Sequence, residues 1–158
     1  MVKITTIACL IALSAFAVAC SGGNSESSES GKSKASPSKV PVGDDASTLD
    51  GLTLASFTGS VENGKTVFAQ CRACHSTDAG VNKIGPSLNG IIGKNSGAVP
   101  GFVYSNANAT IGLVWTKENL FQFLENPQRV IPRTRMIFGG LRDAQDRADI
   151  IAYLESVN

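Results

Sequence analysis

The run Cys71-Arg72-Ala73-Cys74-His75 holds the only histidine in the chain and two of its four cysteines, and it restricts the possible folds more than any other feature. Cysteines three residues apart share one face of a helical turn. Both thiols can therefore bond to one planar partner, while the adjoining imidazole reaches a metal at that partner's centre. C-x-x-C-H is the attachment pattern of a c-type haem: each cysteine captures a vinyl group and the histidine is the proximal ligand to iron. A disulfide, or half of a zinc site, are the other uses of such a pair. The chain has no second Cys pair and no further His with which to complete a zinc site.

Export accounts for the other two cysteines. Lys3 precedes an apolar run of 17 residues, Ile4 to Cys20, which is shorter than the ~20 that cross a bilayer. Cys9 lies inside that run, and Ala17-Val18-Ala19-Cys20 looks like a lipobox with alanine where leucine is usual. We therefore expect residues 1–19 to be a lipoprotein signal peptide and Cys20 to carry the lipid. Simple secretion and a retained anchor are the competing readings, and all three export the chain. The expected location is the bacterial cell envelope, lipid-anchored and facing the periplasm or the outside of the cytoplasmic membrane. Ser21 to Pro41 is Ser, Gly, Glu, Lys and Asn with almost no apolar residue to bury. Residues 20–58 thus read as a tether, about 36 residues spanning a root-mean-square ~30–35 Å.

The remaining residues, 59–158, make one domain of roughly one hundred residues, in which a covalently held haem would supply much of the core. Three helical segments are expected. The first runs from about Ser60, a plausible N-cap, to Cys74, with Gly64, Phe68 and Cys71 on one stripe. The second runs from Thr116 to Asn126, where Pro127 stops it; Trp115 and Leu120 fit a hydrophobic staple. The third runs from about Asp143 to Ser156, with Leu141, Ala144, Ala148 and Ile151 on its apolar side. Gly80 to Gly112 reads as loops with a short helix near Pro86 to Ile91. No repeat or strand pattern persists, so the expected fold is small and all-α.

A longer set of residues now carries a resemblance. Beyond the haem motif the chain has Gly85-Pro86-Ser87-Leu88, Gly97-Ala98-Val99-Pro100-Gly101-Phe102, Tyr104-Ser105-Asn106-Ala107, Trp115, Leu124-Glu125-Asn126-Pro127, Ile131-Pro132-Arg133-Thr134-Arg135-Met136 and Arg147-Ala148-Asp149-Ile150-Ile151-Ala152-Tyr153-Leu154. Across 59–158 it resembles a class I cytochrome c, close to the mitochondrial and bacterial photosynthetic members. The resemblance implies three to five helices wrapped around one haem c, with His75 and Met136 as the iron ligands. Independently, Met136 is the only methionine other than Met1, so a thioether ligand has one candidate, and a lone histidine rules out a bis-histidine site in a monomer. The resemblance further implies that the Pro86 carbonyl orients His75, that Tyr104, Trp115 and Thr134 bond haem propionates, and that Gly64 and Phe68 meet Ile150 and Tyr153 where the first and last helices cross.

Four positions depart from the family pattern. Phe123 stands where a tyrosine often sits, Lys94 where an arginine is often found, and Arg133 and Arg135 replace the glycine and lysine of the methionine loop. The domain carries ten Lys/Arg and eight Asp/Glu, a balance too even for nucleic-acid binding. Arg129, Arg133, Arg135 and Arg142 flank the Met136 loop and would steer it to acidic partners. The expected function is a membrane-tethered, monomeric, single-haem electron carrier with no catalytic residues. Its redox partners would be a quinol-oxidising complex, terminal oxidase, reaction centre or dehydrogenase. A haem enzyme or gas sensor with open iron, and a fixed electron-transfer subunit of a larger complex, are the alternatives.

Overall fold

Three side chains set the helical frame by capping orphan N–H groups, each contact of a kind that contributes about 1 kcal/mol. The computed structural model describes residues 48–157. Ser60 Oγ accepts from the Asn63 N–H and opens α1, Val61–Val67, which tightens into a 3-10 turn at Phe68–Gln70. A five-residue helix, α2, spans Asn106–Thr110. Thr116 Oγ1 accepts from the Asn119 N–H and opens α3, Lys117–Glu125. Helix α4 is Pro127–Val130, and α5, Ala144–Ser156, is capped by Asp143 through the Gln145 and Asp146 N–H groups. Among the described residues, β pairing is confined to one isolated bridge, Asn95–Val114, so the fold is all-α as expected.

Helices α1 and α5 cross at Gly64. A Cβ there would run into the Asp149 carbonyl and come within 2.8 Å of the Tyr153 Cβ. Phe68 and Tyr153 stack tilted beside that crossing, 5.2 Å between ring centres, and Asp149 Oδ1 accepts the Ser60 N–H at 2.8 Å. The buried Asp149 on α5 thus helps to cap the start of α1. Around this crossing lies one core, built on Phe68, Leu113, Trp115, Phe121, Ile131, Ile150 and Ile151.

The structure corrects the sequence reading in several places. The first helix does not run regularly to Cys74; after Gln70 it becomes a turn. Pro127 ends α3 but also begins α4, because Asn126 turns from C-cap to N-cap and accepts the Arg129 N–H. No helix forms at Pro86–Ile91. Ser87 draws the backbone into a turn instead: its N–H goes to Asn82 Oδ1, its hydroxyl donates to the Asp78 carbonyl, and it accepts the Asn89 N–H. The expected loop region contains α2, capped by Ser105 through the Asn108 N–H. Thr48–Thr58, assigned to the tether, packs on the domain: Leu54 and Phe57 border the core, and Leu49 and Asp50 donate to Glu125. The signal segment and Cys20 lie outside the described residues.

Candidate haem site

The turn after the first helix fixes the geometry of the Cys pair. The N–H groups of Cys74 and His75 both bond to the Cys71 carbonyl, at 3.0 and 2.9 Å, so the motif closes as one helical turn with the two thiols on one side. Gly85 N–H takes the Cys74 carbonyl and Lys83 Nζ the Arg72 carbonyl, which ties the turn to the following loop. The two cysteines are not paired in a disulfide. Burial, then the neighbouring Cys74, pushes the Cys71 thiol up to about 11, so in the polypeptide it stays protonated.

His75 is oriented by two consecutive residues. Its Nδ1 lies 2.8 Å from the Pro86 carbonyl oxygen. A carbonyl can only accept, so Nδ1 carries the proton and the lone pair is left on Nε2. Burial pushes the imidazole below its usual pKa, helped by the Lys83 charge and opposed by the Pro86 bond, which keeps the ring neutral. Gly85 makes the room: a Cβ there would collide with the ring, 2.7 Å from Nδ1 and 2.8 Å from Nε2. Only a residue without a Cβ fits beside the ring at this position.

Met136 sits on the loop 131–140 that follows α4, partly buried against the same core that Cys71 borders. Its N–H donates to Thr134 Oγ1 at 3.3 Å. Thr134 and Trp115 are buried, Tyr104 half-buried. Burial raises the Tyr104 hydroxyl pKa, partly offset by a hydrogen bond to the Val99 backbone. Arg135 Nη2 donates to the Tyr104 carbonyl at 2.9 Å and clasps the methionine loop to that segment. Trp115 meets Phe123 edge-on, 4.8 Å between centres. Lys94 donates to the Asn89 carbonyl. Of the four arginines around the loop, Arg129 turns inward to Glu125 at 3.5 Å, while Arg133, Arg135 and Arg142 remain exposed.

These donors suit an iron porphyrin. Two thiols on one turn, an imidazole with a free Nε2 and one thioether are each only partly covered by protein, and Cys71 and Met136 border the same apolar core. Among the described residues no group of three or more His, Cys, Asp or Glu could hold a bare metal ion. When bound, the haem supplies a one-electron Fe(II)/Fe(III) couple; the polypeptide holds the macrocycle, orients the imidazole and excludes water.

The site and the helical frame together define a small haem-binding electron carrier. A family model described as cytochrome c matches residues 61–158. The chain is 55% identical over 98 residues to cytochrome c type-1 of Ascaris suum, covering 61% of this chain and 88% of that protein. It is 48% identical over 100 residues to cytochrome c2 of Rhodopila globiformis, covering 63% and 94%. Cytochrome cH from Methylobacterium extorquens is a solved structural neighbour with a TM-score of 0.59 and 37% identity, covering 62% of this chain and 99% of that one. The chain belongs to the cytochrome c family. It is an electron-transfer protein that works with redox partners, and it carries haem c covalently through Cys71 and Cys74.

Sequence reasoning missed some supporting residues. Gln128 bonds the methionine loop from α4, and Asp50 reaches Arg147 from far upstream. The polar type of Gln128 gave no signal, because exposed polar residues are common on any helix. Asp50 pairs across 97 positions, which no local pattern reveals.

Proposed function

We propose that this chain is a membrane-tethered, single-haem electron shuttle in which His75 and Met136 would hold the iron. One observation carries the ligand assignment: the Pro86 carbonyl claims His75 Nδ1 at 2.8 Å and leaves Nε2 to the metal. Met136 is the matching soft donor, and sulfur opposite imidazole favours ferrous iron and a raised potential. Each turnover is one electron in and one out, with no bond made or broken by the protein. The tether reading rests on Ala17-Val18-Ala19-Cys20 and the polar stretch behind it. It places the domain outside the cytoplasmic membrane of a bacterium, within reach of membrane-embedded donors and acceptors such as quinol-oxidising complexes, terminal oxidases, reaction centres or dehydrogenases.

Two measurements test this. Oxidised holoprotein is expected to show the weak far-red thioether-to-ferric band, absent in Met136→Ala, which is also expected to have a lower potential and to bind carbon monoxide when reduced. Rapid carbon monoxide binding by the wild-type protein would favour an open iron instead. Cys20→Ser is expected to shift the protein from the membrane to the soluble fraction with its spectrum intact. A variant that stays unprocessed in the membrane would replace the lipid anchor by a retained helix.

A further inference from the structure

The turn that delivers Met136 contains a residue in a conformation it disfavours. Arg133 has φ of 67°, the only positive φ at a non-glycine residue among the described residues. Glycine adopts that region freely, whereas an L side chain there crowds the backbone. Something must hold the turn.

Gln128 reaches it from α4 with both ends of its amide. Oε1 accepts the Arg133 N–H at 3.1 Å, and Nε2 donates to the Thr134 carbonyl at 3.0 Å. The Thr134 N–H is taken by the Ile131 carbonyl at 3.0 Å, and Thr134 Oγ1 accepts the Met136 N–H. A continuous run of hydrogen bonds therefore leads from Gln128 through Thr134 to the backbone of Met136. The helix does not need this side chain, since Asn126 caps α4 and Pro127 occupies its first turn. Gln128 is also exposed, so its truncation opens no cavity.

We propose that Gln128 is a positioning residue for the sixth iron ligand: its amide locks the left-handed turn at Arg133 and so keeps the Met136 thioether facing the haem. The inference rests on Met136 being that ligand. Without the clamp, Arg133 relaxes toward ordinary backbone angles and the loop carries the sulfur away from iron more often. An external ligand would then compete more easily for the vacated position.

The test uses ferric holoprotein titrated with imidazole, which displaces a methionine ligand, followed through the thioether-to-ferric band. Gln128→Ala is expected to bind imidazole about five- to tenfold more tightly than wild type, the factor that one or two solvent-accessible amide hydrogen bonds carry. In an Arg133→Gly background, where the turn no longer needs restraint, the same truncation is expected to change affinity less than twofold. Unchanged imidazole affinity in Gln128→Ala, with the band intact, would overturn the inference. So would a lowered denaturation midpoint with imidazole affinity unchanged, which would make Gln128 a surface brace only. An equal effect in both backgrounds would overturn the role assigned to Arg133. Absence of the band from wild-type protein would instead overturn the ligand assignment beneath it.

Discussion

The pairing of Asp50 with Arg147 offers a direct measure of how firmly the segment before the domain is fastened to it. Arg147 is fully buried on α5, its guanidinium carbon 4.5 Å from the Phe121 ring centre. Nη1 donates to the carbonyls of Leu141 and Arg142 at 2.9 and 3.1 Å, at the far root of the methionine loop. Nη2 meets Asp50 Oδ2 at 2.5 Å and lies 4.0 Å from Glu125 Oε1. Glu125 in turn accepts the N–H groups of Leu49 and Asp50 at 2.7 and 3.1 Å. Removing one partner of a fully buried pair costs about 3–5 kcal/mol. Asp50 keeps 30% of its side-chain surface in water and Glu125 stays as a second carboxylate, so the cost of Asp50→Asn is smaller, about 1–2 kcal/mol. For a domain of this size that is a fall in Tm of roughly 5–10 °C.

The pH dependence gives the sign. Burial works to raise the Asp50 carboxyl pKa, but the hydrogen bonds from Arg147, the Leu52 N–H and Thr48, with the Arg147 charge, bring it down to about 2. A depressed carboxyl stabilises the fold fully above its unfolded value, about 3.9, and loses that contribution as pH falls through 2. Thermal melts of the holoprotein are therefore expected to separate wild type from Asp50→Asn at pH 7 and to converge between about pH 4 and pH 2. Arg147 and Glu125 are the charged groups facing Asp50, and only Asp50 changes in the comparison. Equal melts at pH 7, or a gap that persists undiminished at pH 2, would refute this account of the latch.

Gly85→Ala is expected to lower holoprotein yield and stability, by about 1–3 kcal/mol of overpacking against His75, read by melting and by the haem spectrum. A normal, stable holoprotein would show that the ring has room to move. Phe123→Tyr is expected to raise the midpoint potential if its new hydroxyl donates to the Met136 sulfur, since that donation weakens electron release to iron. An unchanged potential with the hydroxyl beside the sulfur in a structure would retire the idea. In alkali the protein is expected to form no lysine-ligated iron, because no lysine follows Lys117 and a guanidinium does not deprotonate. Arg135→Lys is expected to create that species near pH ~10, the ordinary lysine range, and magnetic resonance of the ferric protein would detect it.

What the sequence made legible was what acts over short spans. The haem motif, the caps Ser60 and Thr116, and the stop at Pro127 each depend on neighbours within four residues, and both capped helices begin where the cap stands. The failures have equally local causes. Pro127 signals the end of α3, yet proline also suits a first helical turn, where its missing N–H would have had no partner. At Pro86–Ile91 the Ser87 hydroxyl diverts the backbone from a helix into a turn. Ser105 followed by Asn108 was a cap signal hidden in a Gly- and Asn-rich stretch. The site divides the same way. The Pro86 bond to His75 spans 11 positions and entered through the resemblance, whereas the Arg135 clasp on Tyr104 spans 31 and was not foreseen.

The two sides of the site are also held by different means. On the histidine side the ring packs on the Gly85 backbone, where no Cβ fits, and bonds to Pro86 in the same short loop. On the methionine side the loop 131–140 is held mainly by hydrogen bonds with groups outside it, Gln128 at its near end, Tyr104 bonded by Arg135 at its middle and Arg147 just beyond its far end. Its closing residue, Gly140, has φ of 89° and packs where a Cβ would strike the Glu125 carbonyl, so that root is fixed too. Each such bond contributes only about 1 kcal/mol net and opens independently of the core. If Met136 is the sixth ligand as proposed, it should give way first under heat, denaturant or competing base, while the histidine and both cysteine attachments persist. A reversible loss of the thioether band well below the unfolding midpoint is the observable consequence, and loss of the band only together with the fold would mean that the loop is as rigid as the core.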